Sequence, residues 1–422
     1  MTPSTIKSSW TAPLAVSAIA LMLAGHAAAG ELRIESWRSD DVDIWNDTIL
    51  PVFHEKHPDI QVVFAPTPPA DYNAGLNAKL AGGTAGDIIT CRPFDASLDL
   101  FKQGQIIALN DLEGMANFSD VAKSAWQTDD GADTFCLPMA SVIHGFMYNK
   151  EAFEELGVEP PKTIPEFMAL LAKIEEEGSY TPLSLGTADQ WEAATMGFQN
   201  VGPNFWNGED GRKALIAGDA KLTDDAYVAT FAHLAEWAPY MGNGYQAQKY
   251  SDSQNLFTLG RAAIYPAGSW DIATFNDQAI FEFGAFAPPV PEGADECYIS
   301  DHTDIAMGIN AASANQEDAK LFLEWTASAE FAELYANSLP GFFSLSSHAV
   351  ELTDPVAQEF VSWREQCNST IRNSYQILSR GTPNLENELW NVSAQVLNGT
   401  LSPEEAADQV QSGLAKWYEP QQ

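Results

Sequence analysis

FTLGRAAIYPAGSW, residues 257–270, is the stretch that decides the interpretation of this chain. It predicts the end of a helix, a turn at Gly260 and a short apolar strand over residues 262–265. Pro266 to Ser269 are expected to break the strand and to present Trp270 at its tip. Because ligands of α/β proteins bind outside the carboxyl ends of strands, this position favours an indole that stacks on a ligand. A tight turn carrying a core tryptophan fits the same local pattern.

The length and charge of the chain restrict its class. The 422 residues are enough for two domains of about 150 to 200 residues each. With 21 basic and 58 acidic residues, the formal net charge is −37, which repels nucleic acid and anionic membrane surfaces. We therefore expect neither nucleic acid nor membrane as a partner, and this charge favours a soluble monomer.

The first 29 residues predict a cleaved secretory signal peptide. Lys7 supplies a positive charge, residues 14–23 form a short apolar core, and Ala27 to Ala29 offer a small-residue cleavage site. No later segment has 18 uncharged apolar residues, so direct membrane insertion is not expected. The sequence predicts a mature protein in an oxidising space, the periplasm.

The four cysteines of the chain are Cys91, Cys136, Cys297 and Cys367. An even number in a secreted chain predicts two disulfides, for which three connectivities exist. Buried free thiols are the alternative. None of the cysteines is spaced as CxxC, so a zinc or redox motif is not indicated.

Two predicted strands lead into polar loops that carry candidate ligand groups. Residues 31–37 alternate with a period of two and end in Trp37, Arg38 and Asp41. The strand over residues 88–91 is followed by Arg92 and Asp95. A carboxylate can accept two sugar hydroxyls and a guanidinium can donate a fork. An internal salt bridge that closes the second loop is the competing interpretation.

Aromatic residues are dense between residues 191 and 250, and most are expected to be core. Trp191 and Trp206 lie in predicted loops, which are the better places to meet a ligand. Further along the chain, Thr163 with Glu166 and Ser402 with Glu405 predict capping boxes at two helix starts.

The pattern of residues 257–270 resembles the signature of carbohydrate-binding extracellular solute-binding proteins, the receptors of bacterial ABC importers. It rests on Phe257, Gly260, Ala262, Ala263, Gly268, Ser269 and Trp270. HPDIQVV (residues 57–63) and residues 149–167, 297–310 and 339–343 are similar to the same family. Together these stretches span nearly all of the chain after residue 30.

The resemblance implies an α/β protein with the two-lobed periplasmic binding protein fold. Each lobe would be a mixed sheet flanked by helices, with three crossovers between the lobes. The implied lobe 1 comprises residues 30–143 and 304–340, and lobe 2 comprises residues 144–303 and 341–422. In this arrangement Cys91 ends a lobe 1 strand and Cys136 lies in the strand that leaves that lobe. Cys297 and Cys367 both flank late crossovers, so the pairings Cys91–Cys136 and Cys297–Cys367 are predicted.

The resemblance also implies the function. It implies a periplasmic receptor that closes by a hinge on a di- or oligosaccharide or a glycoside and delivers it to permease subunits, without cofactor, metal or catalytic residue. Trp270 falls where the family has its stacking aromatic. The implied ligand-binding residues are Trp37, Arg38, Asp41, Arg92, Asp95, His144, Trp191, Trp206, Gly268, Ser269, Trp270, Asp301, His302 and Phe342.

Two other functions stay open at this point. A secreted glycoside hydrolase also has a cleft rich in tryptophan and carboxylates, and carboxylates are so abundant here that any pair could be proposed. The sequence shows no hydrolase motif in its required context, whether GxSxG, HExxH, SxxK or a Cys/His arrangement. This favours a receptor over an enzyme. A receptor for amines, metals or anions is the third class.

Overall fold

The computed structural model describes residues 31–422, so the predicted signal peptide lies outside the described residues. The strands are β1 Glu31–Ser36, β2 Gln61–Pro66, β3 Ile88–Cys91, β4 Leu137–Asn149, β5 Thr181–Leu183, β6 Ala262–Gly268, β7 Phe283–Phe286, β8 Tyr298–Ile309, β9 Phe343–Ser344 and β10 Asn368–Thr370. The α-helices of the first part of the chain are α1 Val42–Ile44, α2 Leu50–Lys56, α3 Pro69–Ala81, α4 Asp95–Lys102, α5 Asp120–Lys123, α6 Lys150–Leu156, α7 Ile164–Glu177, α8 Gln199–Val201 and α9 Pro203–Trp206. The later ones are α10 Gly208–Ala217, α11 Asp225–Ala235, α12 Tyr250–Thr258, α13 Ile272–Gln278, α14 Gln316–Thr326, α15 Ala329–Ser338, α16 Pro355–Ser362, α17 Leu385–Leu397 and α18 Pro403–Leu414. Two π-helical segments, Trp45–Ile49 and Ala193–Phe198, complete the long helical stretches.

The strands form a curled mixed sheet in the order β2-β1-β3-β8-β4-β6-β5. Strand β4 changes partners along its length: residues 137–143 pair with β8, and residues 144–149 pair with β6 and β7. On one side of this change lie the parallel strands β1, β2 and β3. On the other side lie β5 and β6, which are also parallel. The sheet therefore divides into two parts joined by β4, which confirms the predicted two-lobed α/β class.

The stretch of residues 257–270 folds largely as its pattern predicts. Helix α12 ends at Thr258, and Gly260 turns the chain with φ of 66°. The expectation that Pro266 breaks the strand is wrong, because β6 continues to Gly268. Proline is tolerated here because β5 ends at Leu183, opposite Ile264, so that edge of β6 has no ladder partner at Pro266.

The two predicted disulfides, Cys91–Cys136 and Cys297–Cys367, are both present. The first joins β3 to the residue before β4 across β8, which runs between these strands. Gly308 of β8 lies beneath it, since a Cβ there would lie 3.0 Å from both sulfur atoms. The bridge therefore fixes the three neighbouring strands β3, β8 and β4.

Both predicted capping boxes are confirmed. The Thr163 side chain accepts a hydrogen bond from Glu166 N, and the Ser402 side chain accepts one from Glu405 N. In each box the glutamate carboxylate in turn accepts a hydrogen bond from the backbone N–H of the cap residue. Each motif pairs backbone N–H groups that a helix start would otherwise leave without a partner.

Candidate functional site: a cleft between the two parts of the sheet

A cleft lies where strands from both parts of the sheet reach their carboxyl ends. Trp37 follows β1, Arg92 follows β3 and Trp270 follows β6. These side chains line one space, named here the central compartment, although they come from three separate stretches of the chain. Its full lining is Trp37, Arg38, Pro69, Arg92, Trp191, Thr195, Tyr250, Trp270, Asp304, Arg372 and Trp390. The position agrees with the rule that ligands of α/β sheets bind at strand ends.

A second compartment adjoins the first through three shared residues, Arg92, Arg372 and Trp390. Asp95 and Tyr375 also line it. The two compartments form one elongated cleft, so a ligand with more than one ring has space to extend from one into the other.

A chain of hydrogen bonds fixes the indole of Trp270. Its Nε1 donates to the Tyr250 hydroxyl at 3.1 Å, and that hydroxyl donates to Asp271 Oδ1 at 2.5 Å. Gly268 permits the ring to fold back over the strand end, because a Cβ there would lie 2.1 Å from the indole. Trp191 packs against Tyr250 with ring centroids 4.8 Å apart. The cleft therefore has a rigid aromatic wall on the β6 side.

The buried carboxyl group of Asp271 lies directly behind the aromatic wall and accepts a hydrogen bond from Tyr250. Burial raises the pKa of Asp271 to about 7, against the opposing effect of its hydrogen bonds from Tyr250 and Gln254. Asp271 Oδ1 accepts both bonds, whereas Oδ2 has no partner among the described residues. The protonation state of this group changes near neutral pH, directly behind the aromatic wall.

Arginine side chains face this wall from the other side. Arg38 is buried and forms a fork to Asp41, with Nε 2.7 Å from Oδ2 and Nη2 2.6 Å from Oδ1. Burial opposes the charge, but Asp41 raises the pKa of Arg38 well above its usual value. Arg38 Nη2 also donates to the Trp270 backbone oxygen at 3.3 Å, and its guanidinium lies 5.0 Å from the Phe342 ring. Arg38 thus links both sides of the cleft.

Arg92 has a different environment. Its guanidinium lies 4.4 Å from the centre of the Trp37 ring and donates from Nε to Asn73 Oδ1 at 2.9 Å. It forms no ion pair within residues 31–422, and burial lowers its pKa. Arg92 therefore presents a cation and Trp37 an aromatic ring to the cleft.

Asp95 forms a salt bridge, but its partner is the distant Arg380 and not Arg92 of the same loop, so the bridge does not close the loop as the competing interpretation expected. Its Oδ1 accepts from Arg380 Nε at 2.5 Å, while Oδ2 has no partner in the described part of the chain. Burial raises its pKa to about 6, although Arg380 opposes the shift. Asp95 also lines the second compartment, so its role as a ligand group stays a prediction.

Several other predicted residues lie behind the cleft surface and hold it in place. His144 and His302 are buried and contact each other, and Trp270 packs edge-on against His144. The Ser269 hydroxyl donates to Gly341 O at 2.5 Å and accepts from Ile143 N at 3.0 Å. Predicted residues that support the cleft without lining it are Asp41, His144, Gly268, Ser269, His302 and Phe342.

The structure places Trp206 and Asp301 away from the cleft. The loop expected at Trp206 is helix α9, and the indole is buried in the core against Tyr227 at 5.2 Å. Asp301 pairs with Arg364 at 2.8 Å. Neither side chain lines either compartment, because local packing partners satisfy both.

Sequence reasoning missed four lining residues of the central compartment that bear on binding: Thr195, Asp304, Arg372 and Trp390. A fifth, Tyr250, stood out only as one of many aromatic residues. Asp304 lies two residues beyond the predicted His302, within a stretch that already resembled the family. Arg372 follows β10 and Trp390 lies in α17, and no local pattern connects them with residues near position 37 or 270.

Within residues 31–422, no helix is long and apolar enough to cross a membrane. No group of three or more His, Cys, Asp or Glu side chains in the same residues is arranged to hold a metal ion.

The fold and the cleft define a two-lobed α/β binding protein. A family profile described as bacterial extracellular solute-binding protein matches residues 39–333, and the chain belongs to this family. A multiple sugar-binding protein from Streptococcus mutans is 22% identical over 306 residues, covering 70% of each chain.

Solved structures of similar proteins share the fold over almost the whole chain. A chitin oligosaccharide binding protein has a TM-score of 0.77 at 20% identity and covers 93% of this chain and 100% of its own. RafE, solved in complex with raffinose, has a TM-score of 0.75 at 18% identity, with coverage of 93% and 99%. These likenesses confirm the two-lobed fold.

Proposed function

We propose that this protein is the carbohydrate receptor of a bacterial ABC importer, with a di- or oligosaccharide or a glycoside as its ligand. The observation that carries the proposal is the aromatic lining of the central compartment, in which Trp37 lies opposite the wall formed by Trp191, Tyr250 and Trp270. Sugar rings have apolar faces that stack on such groups and hydroxyls that need fixed polar partners. The sugar-binding names of the relatives and the family membership support the same ligand class.

The charges of the cleft favour a neutral ligand over an amine, a metal or an anion. Arg38, Arg92 and Arg372 line the central compartment together with Asp304. Arg38 is paired with Asp41 and Arg372 with Glu386, so three guanidinium groups meet three carboxylates. A charged solute would meet a like charge there, whereas a sugar hydroxyl can donate to the carboxylate and accept from a guanidinium.

The carboxylates argue against glycoside hydrolysis. That reaction uses two carboxyl groups that flank the bond to be cut. In the central compartment, Asp304 is the single lining carboxylate within residues 31–422. The carboxylates that line the second compartment are Asp95, Asp99 and Glu386, and two of them, Asp95 and Glu386, are ion-paired with Arg380 and Arg372. We therefore propose a binding protein without hydrolase turnover, located in the periplasm.

We propose the lobe boundaries at residues 143/144, 303/304 and 340/341, with hinge closure around them. Ile143 is opposite Asp301 in β8 and His144 is opposite Gly268 in β6, so β4 changes partner at the first boundary. Ligand that contacts Trp37 and Trp270 together would favour the closed form, and the closed form would deliver it to the permease.

Thermal melting with a panel of solutes tests the ligand class. The sugars are galactose, maltose, raffinose, xylobiose and diacetylchitobiose, and the controls are glycine betaine, putrescine and phosphate. At 100 times Kd, a bound sugar is expected to raise Tm by about 3 °C for a chain of this size. A shift with a control solute and none with any sugar would contradict the proposal. Release of sugar from a bound glycoside would assign a hydrolase instead.

A further inference from the structure

Asp304 lies at an irregular point of strand β8. Ala140 of β4 is opposite Ile305 and Ser141 is opposite Thr303, so Asp304 is an extra residue without a ladder partner. Such a bulge re-aims a side chain, and bulges are frequent beside functional sites. The Asp304 side chain lines the central compartment, whereas Asp301 of the same strand is paired with Arg364 outside it.

The Asp304 carboxylate is buried yet has no hydrogen bond within residues 31–422. The residue is 8% exposed, and neither carboxylate oxygen accepts a hydrogen bond from the described residues. Neither oxygen is among the fully buried unpaired atoms of those residues, so the carboxylate is open to the cleft. Burial raises the pKa of Asp304 and Glu386 acts in the same direction, whereas the charges of Arg372, Arg92 and Arg38 oppose the shift. The carboxylate thus faces the central compartment with its acceptor sites free of protein donors, and a ligand hydroxyl there can supply the donor.

Arg372 offers the complementary group on the same surface. Its Nη1 donates to Glu386 Oε1 at 3.2 Å, and its Nη2 makes no hydrogen bond within the described residues. Asp304 and Arg372 form no direct salt bridge although both line the compartment. An acceptor and a donor are thus held near each other without contact, and a hydroxyl pair can satisfy both.

We propose that Asp304 determines ligand specificity by accepting hydrogen bonds from two adjacent hydroxyls of the sugar ring that stacks on Trp270. Arg372 donates hydrogen bonds to the same two hydroxyls. This inference rests on the proposed function and names a specificity-determining residue for it. The site then selects neutral sugars with two free neighbouring hydroxyls. A deoxy analogue lacks one hydroxyl donor for the Asp304 carboxylate and therefore binds more weakly. A sugar that carries a carboxylate at this position is repelled by the negative charge of Asp304.

The test is a calorimetric titration with the panel sugar that gives the largest Tm shift and with its monodeoxy analogues. Asp304→Asn is expected to raise Kd at least tenfold, and Asp304→Glu by a similar factor because its carboxylate is displaced by one methylene. One deoxy analogue should bind wild type at least tenfold more weakly than the parent sugar does. On Asp304→Asn, the same analogue and the parent sugar should have about the same Kd. The matched control, Asp301→Asn in the same strand, should stay within twofold of wild type.

The alternative is that Asp304 only balances the charge of the arginines. In that case Asp304→Glu binds the sugar with wild-type affinity, and only Asp304→Asn has a lower Tm than wild type without ligand. This result overturns the inference. If Asp304→Asn does not fold, Asp304→Glu and the deoxy series on wild type still decide. Unchanged affinity in both variants overturns the role of Asp304 alone. Absence of sugar binding by wild type overturns the proposed function, and this inference with it.

Discussion

The Nε2 atoms of His144 and His302 lie 3.0 Å apart, although the two residues belong to strands β4 and β8. Both rings are buried. Their Nδ1 atoms lie 3.0 Å from Thr195 O and 2.9 Å from Thr303 O, positions that suit a ring N–H on each. With both protons on Nδ1, two lone pairs would face each other, so the contact is satisfied fully only when a third proton lies between the rings.

The surroundings of this pair oppose that third proton. Burial lowers the pKa of His144 and of His302 well below the usual value, and the nearby charge of Arg372 acts in the same direction. Aromatic rings also pack on the pair, Trp270 against His144 and Tyr375 against His302. The folded protein therefore holds this pair with fewer protons than the unfolded chain at mildly acidic pH.

Acid is expected to destabilise the protein through this pair. In the unfolded chain both histidines take up protons below about pH 6.5, whereas the folded state resists until lower pH, so stability falls as pH falls from 6.5. His302→Gln should lose less Tm than wild type between pH 7.5 and 5. His57→Gln, at the half-buried end of α2, is the control. Parallel pH profiles of wild type and His302→Gln would contradict the prediction.

The contribution of Asp271 to stability changes with pH in the opposite direction from that of the histidine pair. Its pKa of about 7 in the folded state lies above the unfolded value of about 3.9, so its stabilising contribution is complete below pH 4 and is lost as pH rises through 7. Asp271→Asn should therefore gain Tm relative to wild type at pH 8, by a few degrees compared with pH 5. The exposed Asp277, in the helix α13 that follows Asp271, supplies the control variant Asp277→Asn. An equal offset at both pH values would disprove the assignment.

Trp270→Ala is predicted to weaken sugar binding and to leave the fold intact. Loss of the stacking face should remove about 1 to 3 kcal/mol, which corresponds to about a five- to 150-fold higher Kd. Calorimetry with the best panel sugar measures the change, and circular dichroism checks folding. Trp206→Phe is the matched control in the core, and its affinity should not change. A folded Trp270→Ala protein with wild-type affinity would assign this indole to packing alone.

The Cys91–Cys136 disulfide is expected to contribute strongly to stability. Its sequence separation is 45 residues, for which the loop-entropy relation gives about 4 kcal/mol, or a fall in Tm of about 5 °C for a chain of this size. The double variant Cys91→Ser, Cys136→Ser tests this by melting under non-reducing conditions. Adding reductant to wild type provides an independent check. A Tm within 1 °C of wild type in the variant would show that the sheet is fixed without the bridge.

Residues that act through their immediate neighbours could be predicted from the sequence. Gly260 has the positive φ that its turn requires, and Thr163 and Ser402 form the capping boxes that their spacing predicts. Trp270 reaches the cleft because strand, glycine and indole are consecutive in the chain. The cysteine pairing was predicted from where the family resemblance places the four cysteines relative to the lobes and their crossovers.

Tertiary structure alone decided which distant residues share the cleft. Arg372 and Trp390 join Trp37 there, and Asp304 enters through a bulge that alternation in the sequence does not mark. Trp206 looked equally suited to a ligand but is covered by Tyr227 and Phe198. Local patterns depend on hydrogen bonds and side-chain periods within a few residues. The membership of the cleft depends instead on how β4 and β8 pair across both parts of the sheet, and only packing of the whole chain determines that pairing.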